Sequence, residues 1–385
     1  MKDRSMITND PTKSLSVDKT ATVSSGVKWA ALIVVVIVGV GLVLALAEGA
    51  VRVRQWHNTG AFVSMASMYK VDKSINLRVL SPGFRSDRIS INSLGFRGPE
   101  IAPIKPKNVM RVAFLGASTT FCAEVSGDAA VWPQIVTDVL RRCFANTAFD
   151  FVNGGVPGYT VESSRKNLKY RIAPLTPDLI VVYHATNDLS GEVRQRAELA
   201  HSAGAADSGH ESWLERHSLF WELVVKNLRV REAQSEVGSG NAHHLQVDAG
   251  TLGQDFERDL TSLVRESAAV ASRVAVVTFS TQLRADQSLA AQKKAAVSAF
   301  VYMPFMSIDG LLAGYGRYNN IIKQVATSEH ALLITGEDDI PGDPAHFVDT
   351  VHFTDSGNRA MAERVFSALV RDPKVLELIQ ARSGK

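Results

Sequence analysis

From Arg111 onward, short apolar runs alternate with longer amphipathic segments, and this alternation limits the fold more than any other feature of the chain. The apolar runs are rich in valine, isoleucine and phenylalanine, and they predict strands at residues 111–116, 149–153, 178–184, 273–279 and 331–335. The intervening segments predict helices at residues 129–143, 161–172, 254–272, 314–329 and 355–370. Strands that are apolar on both faces and separated by helices indicate an α/β fold, with a parallel sheet covered on both sides.

The length and composition of the chain limit the classes of protein to which it can belong. A chain of 385 residues, 45% of them apolar, has room for one large α/β domain with additional segments, or for two smaller domains. The net charge of +3 comes without long basic runs, which argues against nucleic acid as a partner. Cys122 and Cys143 are too few for a disulfide framework or a cysteine-rich zinc site, and the sequence does not decide whether they pair.

An unbroken run of 19 uncharged residues extends from Trp29 to Ala47. As a helix it would span roughly 28 Å at about 1.5 Å per residue, close to the hydrocarbon thickness of a bilayer. A buried core helix usually shows a polar stripe, and this run has none. A cleaved signal peptide, cut after Ala45-Leu46-Ala47, is the alternative. The long polar leader and the length of the run favour an uncleaved membrane anchor.

The charges that flank this run give a slight preference for a cytoplasmic N-terminus. Lys13, Lys19 and Lys28 precede the run, whereas Arg52 and Arg54 follow it closely. A single span near the N-terminus, with a large domain behind it, predicts a single-pass protein of the cell membrane. We expect its main domain to be extracytoplasmic, in the periplasm.

The composition along the chain predicts four regions. We expect a disordered tail at 1–26, a transmembrane anchor at 27–49, a stalk and lead-in at 50–106, and the main domain at 107–385. A variable insertion at about 190–250 interrupts the main domain. An amphipathic helix is predicted within it from Trp213, Leu214, Leu219, Phe220, Leu223 and Val224. This helix is either docked on the core or forms a lid over the substrate.

Ser118 stands directly after the first predicted strand, in the segment Gly116-Ala117-Ser118-Thr119. When a strand ends at a glycine, the side chains that follow project beyond the edge of the sheet. A serine there can attack the carbonyl group of a substrate. A lone serine at such a position is typically a turn residue. A phosphate-binding turn is the other alternative, but the glycine spacing fits neither a P-loop nor a dinucleotide fingerprint.

Asp349 and His352 are separated by two residues, so a single turn can place the carboxylate against one imidazole nitrogen. The other nitrogen is then free to take a proton from a serine. His346 adds an i, i+3, i+6 series that suggests a metal site. We predict no metal, because no helix is expected there, Pro344 is close by and no further ligand cluster is evident.

Gly158 and Asn187 follow the second and third predicted strands. Alone, each is typical of a turn or a helix cap. Glycine, however, lets a backbone N–H approach a ligand closely. The N–H groups of Ser118 and Gly158 and the side-chain amide of Asn187 can together form an oxyanion hole with three donors.

Taken together, these blocks resemble the SGNH hydrolase superfamily, also called the GDSL esterases and lipases, over roughly residues 111–370. The family's nucleophilic serine, oxyanion glycine, oxyanion asparagine and Asp-x-x-His match Ser118, Gly158, Asn187, and Asp349 with His352. Trp132-Pro133 also looks like the family, and residues 91–98 resemble the lead-in of membrane-anchored bacterial members. The departures are Gly-Ala-Ser-Thr in place of Gly-Asp-Ser-Leu, and Ala185 where glycine is usual.

The resemblance implies a fold and an activity. The fold is the flavodoxin-like three-layer α/β/α sandwich with a five-stranded parallel sheet. The activity is that of a serine esterase, which works through an acyl-Ser118 intermediate. Its expected substrate is an acyl ester, specifically an acetyl ester, on a carbohydrate or cell-envelope component. No cofactor is implied. His184 and Cys122 are expected to flank the site as packed neighbours.

Two other functions are compatible with the sequence. A polysaccharide O-acetyltransferase would use the same three residues and would need a membrane partner to deliver the acyl group. A catalytically silent envelope scaffold or glycan-binding module is the alternative from another class.

Overall fold

The computed structural model describes residues 25–59, 65–201, 221, 228, 248–304 and 306–383. Residues 1–24 of the expected tail lie outside the described residues, and so do the six apolar residues from which the amphipathic helix in the insertion is predicted. The chain divides into two units between Val51 and Arg52.

Helix α1 (Ser25–Thr59) supplies the described part of the N-terminal unit and continues beyond Val51. Its segment Lys28–Arg54 is long and apolar enough to cross a membrane, and its apolar side chains are exposed. A helix with apolar residues on all sides fits a membrane anchor or a signal sequence. Helix α1 also continues through residues 50–59, which the sequence analysis assigned to the stalk.

Residues 65–100 contribute a two-stranded antiparallel hairpin of β1 (Tyr69–Asp72) and β2 (Leu77–Leu80). The inward side chains of β2 belong to a small apolar cluster separate from the main core. The same cluster contains Ala117 and Phe121, which follow the first strand of the main sheet, and Val156 and Tyr159, which follow the second. The hairpin therefore packs on the end of the main sheet at which Ser118 lies.

The main sheet has five parallel strands in the order β4-β3-β5-β6-β7. They are β3 (Val109–Gly116), β4 (Ala148–Asn153), β5 (Leu179–Tyr183), β6 (Arg273–Val277) and β7 (Leu332–Ile334). All five predicted strands are confirmed to within two residues at each end. β3 and β5 are almost fully buried, as expected for strands with helices on both faces.

The helices of the main domain are α2 (Ser118–Phe121), α3 (Trp132–Cys143), α4 (Val161–Asn167), α5 (Thr186–His201), α6 (Gln254–Ala268), α7 (Leu289–Tyr302), α8 (Ile308–Ser328), α9 (Asp355–Leu369) and α10 (Pro373–Arg382). The five predicted helices are confirmed as α3, α4, α6, α8 and α9, and α4 continues as a π-helical turn to Ile172. Helix α3 packs against α9, whereas α6 packs against both α4 and α8. This arrangement is the expected three-layer α/β/α sandwich.

Three of the longer described helices were not predicted: α5, α7 and α10. Helix α7 is rich in alanine and has no distinct polar face, so its sequence lacks the periodicity of an amphipathic helix. Helix α8 begins six residues earlier than predicted, because Ser307 caps it by accepting the N–H of Gly310.

Arg111 is a charged residue inside the central strand β3, and it is fully buried. Its Nε and Nη2 donate to the two carboxylate oxygens of Asp150, at 2.8 and 2.6 Å. Its remaining N–H groups reach the carbonyl oxygens of Leu175 and Ala102. The guanidinium therefore ties β3 to β4 and to two loops.

We predict that Arg111→Ala lowers the free energy of unfolding by about 3–5 kcal/mol, because Asp150 and two carbonyl groups lose their donor. Arg258→Ala is the control, since Arg258 is exposed and pairs with Asp255 at the surface. It should cost no more than about 1 kcal/mol. Urea unfolding of the full chain in detergent measures both values, and equal effects would contradict the prediction.

Candidate active site

Ser118 begins helix α2, a single turn that follows β3. The turn packs closely against the end of the strand because Gly116 has no side chain. A Cβ at Gly116 would lie 2.0 Å from Oγ1 of Thr120 and 2.9 Å from the carbonyl oxygen of Tyr183. Any larger residue would push the turn, and with it the half-buried Ser118, away from the sheet.

The carbonyl groups of α2 are bonded by side chains from outside the helix. A helix this short satisfies almost none of its own carbonyls. The indole Nε1 of Trp132 donates to Thr119 O at 3.0 Å, and Nδ2 of Asn153 donates to Thr120 O at 3.0 Å. Both donors are buried, so these bonds are shielded from water.

Arg97, from the lead-in, bonds the end of the same turn. Its Nη1 donates to the carbonyl oxygens of Phe121 and Cys122, at 2.8 and 2.6 Å. Its Nε pairs with Asp128 at 2.8 Å, and the side chain is 1% exposed. Arg97 lies in the segment 91–98, whose resemblance to membrane-anchored relatives does not by itself predict this contact.

Ser118, His352 and Asp349 form a continuous hydrogen-bonded chain. Ser118 Oγ lies 2.9 Å from His352 Nε2, and His352 Nδ1 lies 2.8 Å from Asp349 Oδ2. The other carboxylate oxygen of Asp349 accepts the backbone N–H groups of Val351 and His352, both at 2.9 Å. The turn between the carboxylate and the imidazole is thus closed by its own backbone.

The loop that carries this pair is held from both sides. Phe347 and Phe353 form an antiparallel bridge across it. Thr350 is buried and lies between Asp349 and His352 in the sequence. Its Oγ1 donates to the carbonyl oxygen of Ala295 in α7 and accepts from Ser298 Oγ. The unpredicted helix α7 therefore supports the loop directly.

The environment of Asp349 keeps it ionised. Burial acts to raise its pKa, but the hydrogen bond from His352, the charge of that ring when it is protonated, and two backbone N–H groups outweigh the burial. The pKa of Asp349 consequently lies below its ordinary value. An ionised carboxylate accepts the Nδ1–H of His352, which leaves Nε2 unprotonated and facing Ser118 in the neutral imidazole.

Gly158 and Asn187 lie at the same edge of the sheet as Ser118, since β4 and β5 both pair with β3 in parallel. Asn187 is the second residue of α5, and its Nδ2 donates to the carbonyl oxygen of Tyr159 at 2.9 Å. That bond uses one amide hydrogen and orients the other. Gly158 is exposed and has a φ of +83°, a conformation that favours glycine.

The flanking residues His184 and Cys122 are both buried. Burial lowers the pKa of His184 to about 3, so the imidazole is neutral, and its Nε2 bonds Ser164 Oγ at 2.8 Å. Burial raises the pKa of the Cys122 thiol, which therefore stays protonated. Cys122 and Cys143 are both free thiols.

His346 does not join the Ser118 chain. Its Nδ1 bonds Asp343 Oδ1 at 2.8 Å, in the same i, i+3 arrangement as His352 and Asp349. Within the described part of the chain, no group of three histidine, cysteine or acidic side chains is close enough to hold a metal ion.

Asp188, the neighbour of Asn187, is a half-buried acid whose Oδ2 atom is shielded from water. Its Oδ1 accepts the N–H of Val161 at 3.0 Å, and its Oδ2 has no hydrogen-bond partner among the described residues. Burial raises its pKa to about 7, although the N–H of Val161 acts to lower it.

This pKa predicts a pH-dependent stability. A carboxyl group with a folded pKa of about 7 and an unfolded pKa of about 3.9 favours folding most strongly below about pH 4, and this contribution is lost as the pH rises through 7. Asp188→Asn cannot ionise, so at pH 8 it should unfold at a higher urea concentration than the wild type. The difference should shrink at pH 5.

Asp255→Asn is the control for this prediction, because Asp255 is an exposed acid in the first turn of α6. It should leave the pH dependence of urea unfolding as in the wild type. A difference between Asp188→Asn and the wild type that is the same at pH 5 and pH 8 would contradict the assignment to Asp188.

Comparison with known proteins identifies a family. The model of the GDSL-like lipase/acylhydrolase family matches residues 114–360. Among solved structures, Axe2, an acetylxylan esterase from Geobacillus stearothermophilus, has 14% identity and a TM-score of 0.40, over 67% of this chain and 93% of that one. A putative GDSL-like lipase from Parabacteroides merdae has 14% identity and a TM-score of 0.42, over 70% and 98%. No curated protein matches the chain.

The family match extends over more than half of the chain and contains Ser118, Gly158, Asn187, Asp349 and His352. The chain therefore belongs to the GDSL-like lipase/acylhydrolase family of the SGNH hydrolase superfamily, and it is an ester hydrolase.

Proposed function

We propose that this ester hydrolase removes a small acyl group, specifically an acetyl group, from a carbohydrate or other component of the cell envelope. The observation that carries the proposal is the hydrogen-bonded chain from Ser118 through His352 to Asp349. A serine hydroxyl is a weak nucleophile unless a base stands ready to take its proton, and this chain supplies that base.

In the first half of the reaction, Ser118 Oγ attacks the ester carbonyl while His352 Nε2 takes its proton. Asp349 holds the imidazole by Nδ1 and stabilises the imidazolium that forms. The oxyanion is bound by the N–H groups of Ser118 and Gly158 and by the Asn187 amide. His352 then gives the proton to the leaving alcohol, and the acyl group stays on Ser118.

In the second half, a water molecule attacks acyl-Ser118 and His352 takes its proton. The tetrahedral oxyanion forms again in the same hole. Collapse of this intermediate returns the proton to Ser118 Oγ and releases the carboxylic acid. No step requires a metal or an organic cofactor.

The choice of an envelope substrate rests on the N-terminal helix and on the exposure of the site. We place residues 29–47 in the membrane and the catalytic domain on the extracytoplasmic side, where envelope carbohydrates are accessible. Gly158 is exposed and Ser118 is half-buried, which suits an ester that projects from a large molecule.

We predict that His352→Ala lowers kcat on p-nitrophenyl acetate by about 10³-fold or more, because Ser118 loses its base. The matched control is His346→Ala, which removes a histidine with the same contact to an aspartate at 2.8 Å in the neighbouring turn. The control should keep kcat within about 3-fold of the wild type. Similar losses of kcat in the two variants would contradict the assignment of His352 as the base.

We also predict that Asn187→Ala lowers kcat by about 10²–10³-fold, since one oxyanion donor contributes roughly 3–4 kcal/mol to the transition state. Asn108→Ala serves as the control, because Asn108 is exposed just before β3, at the opposite end of that strand from Ser118. An Asn187→Ala enzyme with an unchanged kcat would remove Asn187 from the oxyanion hole.

A further inference from the structure

The β1–β2 hairpin is bonded to the loop that carries Gly158. Nη2 of Arg78, in β2, donates to the carbonyl oxygen of Pro157. A Cβ built on Gly158 would lie 2.6 Å from the same nitrogen. In the other direction, the hydroxyl of Tyr159 donates to the backbone carbonyl of Arg78 at 2.6 Å. Arg78 therefore stands directly beside the proposed oxyanion donor.

The guanidinium of Arg78 is exposed and has hydrogen-bonding capacity to spare. Its Cζ lies 4.7 Å from the ring centroid of Tyr69, which supports one face of the cation. Among the described residues, Pro157 is its one hydrogen-bond acceptor, and no carboxylate forms an ion pair with it. Arg97, by contrast, is buried and has a carbonyl or carboxylate partner on each nitrogen.

Two positive charges, those of Arg171 and Arg78, act on Tyr159 in this loop. Burial raises the pKa of Tyr159 to about 12, whereas the positive charges of Arg171 and Arg78 act to lower it. Burial also raises the pKa of Tyr69. The positive charge of Arg78 acts to lower this pKa, and the negative charge of Glu124 acts to raise it. Two acidic groups oppose an incoming anion: Glu124, which acts on Tyr69, and Asp72, which acts on Arg171. Neither forms an ion pair with Arg78 among the described contacts.

We propose that Arg78 is a substrate-binding residue that selects acylated sugars carrying an anionic group next to the ester. The anionic group could be a uronate carboxylate or a sugar phosphate, and both present a pair of anionic oxygens. A guanidinium can bind such a pair with two parallel N–H groups. This inference rests on the proposed function and narrows its substrate to anionic envelope glycans.

The test is direct binding, measured by calorimetry on the full chain in detergent with Ser118→Ala to prevent turnover. The probes are O-acetylated trigalacturonate, an O-acetylated ribitol phosphate trimer, and neutral O-acetylated xylotriose. The test variant is Arg78→Gln, which keeps a polar side chain with N–H groups and removes the charge. Arg78→Lys restores the charge, and Lys73→Ala removes an exposed charge from the tip of the same hairpin.

We expect at least one anionic probe to bind 10-fold or more tightly than xylotriose. Arg78→Gln should abolish that preference, Arg78→Lys should restore part of it, and Lys73→Ala should leave it intact. Glu124→Gln should strengthen it. The two anionic probes distinguish a carboxylate from a phosphate as the recognised group.

The proposal is overturned if neither anionic probe binds, if both bind no better than xylotriose, or if Arg78→Gln keeps the preference. Binding to Ser118→Ala protein does not depend on catalysis. A protein that binds the anionic probe through Arg78 but hydrolyses no ester would therefore contradict the proposed function and leave the role of Arg78 standing.

Discussion

The position of Ser118 depends on hydrogen bonds to the carbonyl groups of the one-turn helix that it begins. A single turn satisfies few of its own carbonyls, and buried carbonyls without donors are costly. Trp132, Asn153 and Arg97 supply those donors from a helix, a strand and the lead-in. Three parts of the chain that are distant in sequence therefore converge on one turn. The tight approach that Gly116 permits then aims the serine at the edge of the sheet.

The surroundings of the site keep most ionisable groups in one protonation state. Burial holds His184 neutral and Cys122 as a thiol, and contacts with His352 help to keep Asp349 ionised. In the proposed mechanism these fixed states leave His352 as the group that moves a proton between Ser118, the leaving alcohol and water. The loop around it is held in place separately, because Thr350 donates a hydrogen bond to α7 and the Phe347–Phe353 bridge closes the loop.

The sequence predicts the main sheet well because its strands are buried on both faces and stand out as apolar runs. It also predicts that Ser118, Asp349 and His352 belong together, and the structure joins their side chains by hydrogen bonds. Helix α7 escapes prediction because its alanine-rich sequence has no polar face, and the four-residue strands β1 and β2 are too short to show a clear alternation. The contacts of Arg97 and Arg78 join residues far apart in the chain, so local patterns carry no sign of them.

The central claim is that Ser118 is a nucleophile activated by His352. The most direct test is fluorophosphonate labelling of the full chain, with the modified peptide identified by mass spectrometry. We predict one adduct on Ser118 in the wild type and in His346→Ala, and none in Ser118→Ala or His352→Ala. A folded wild-type protein that takes no label, or that takes it on another residue, would contradict the account.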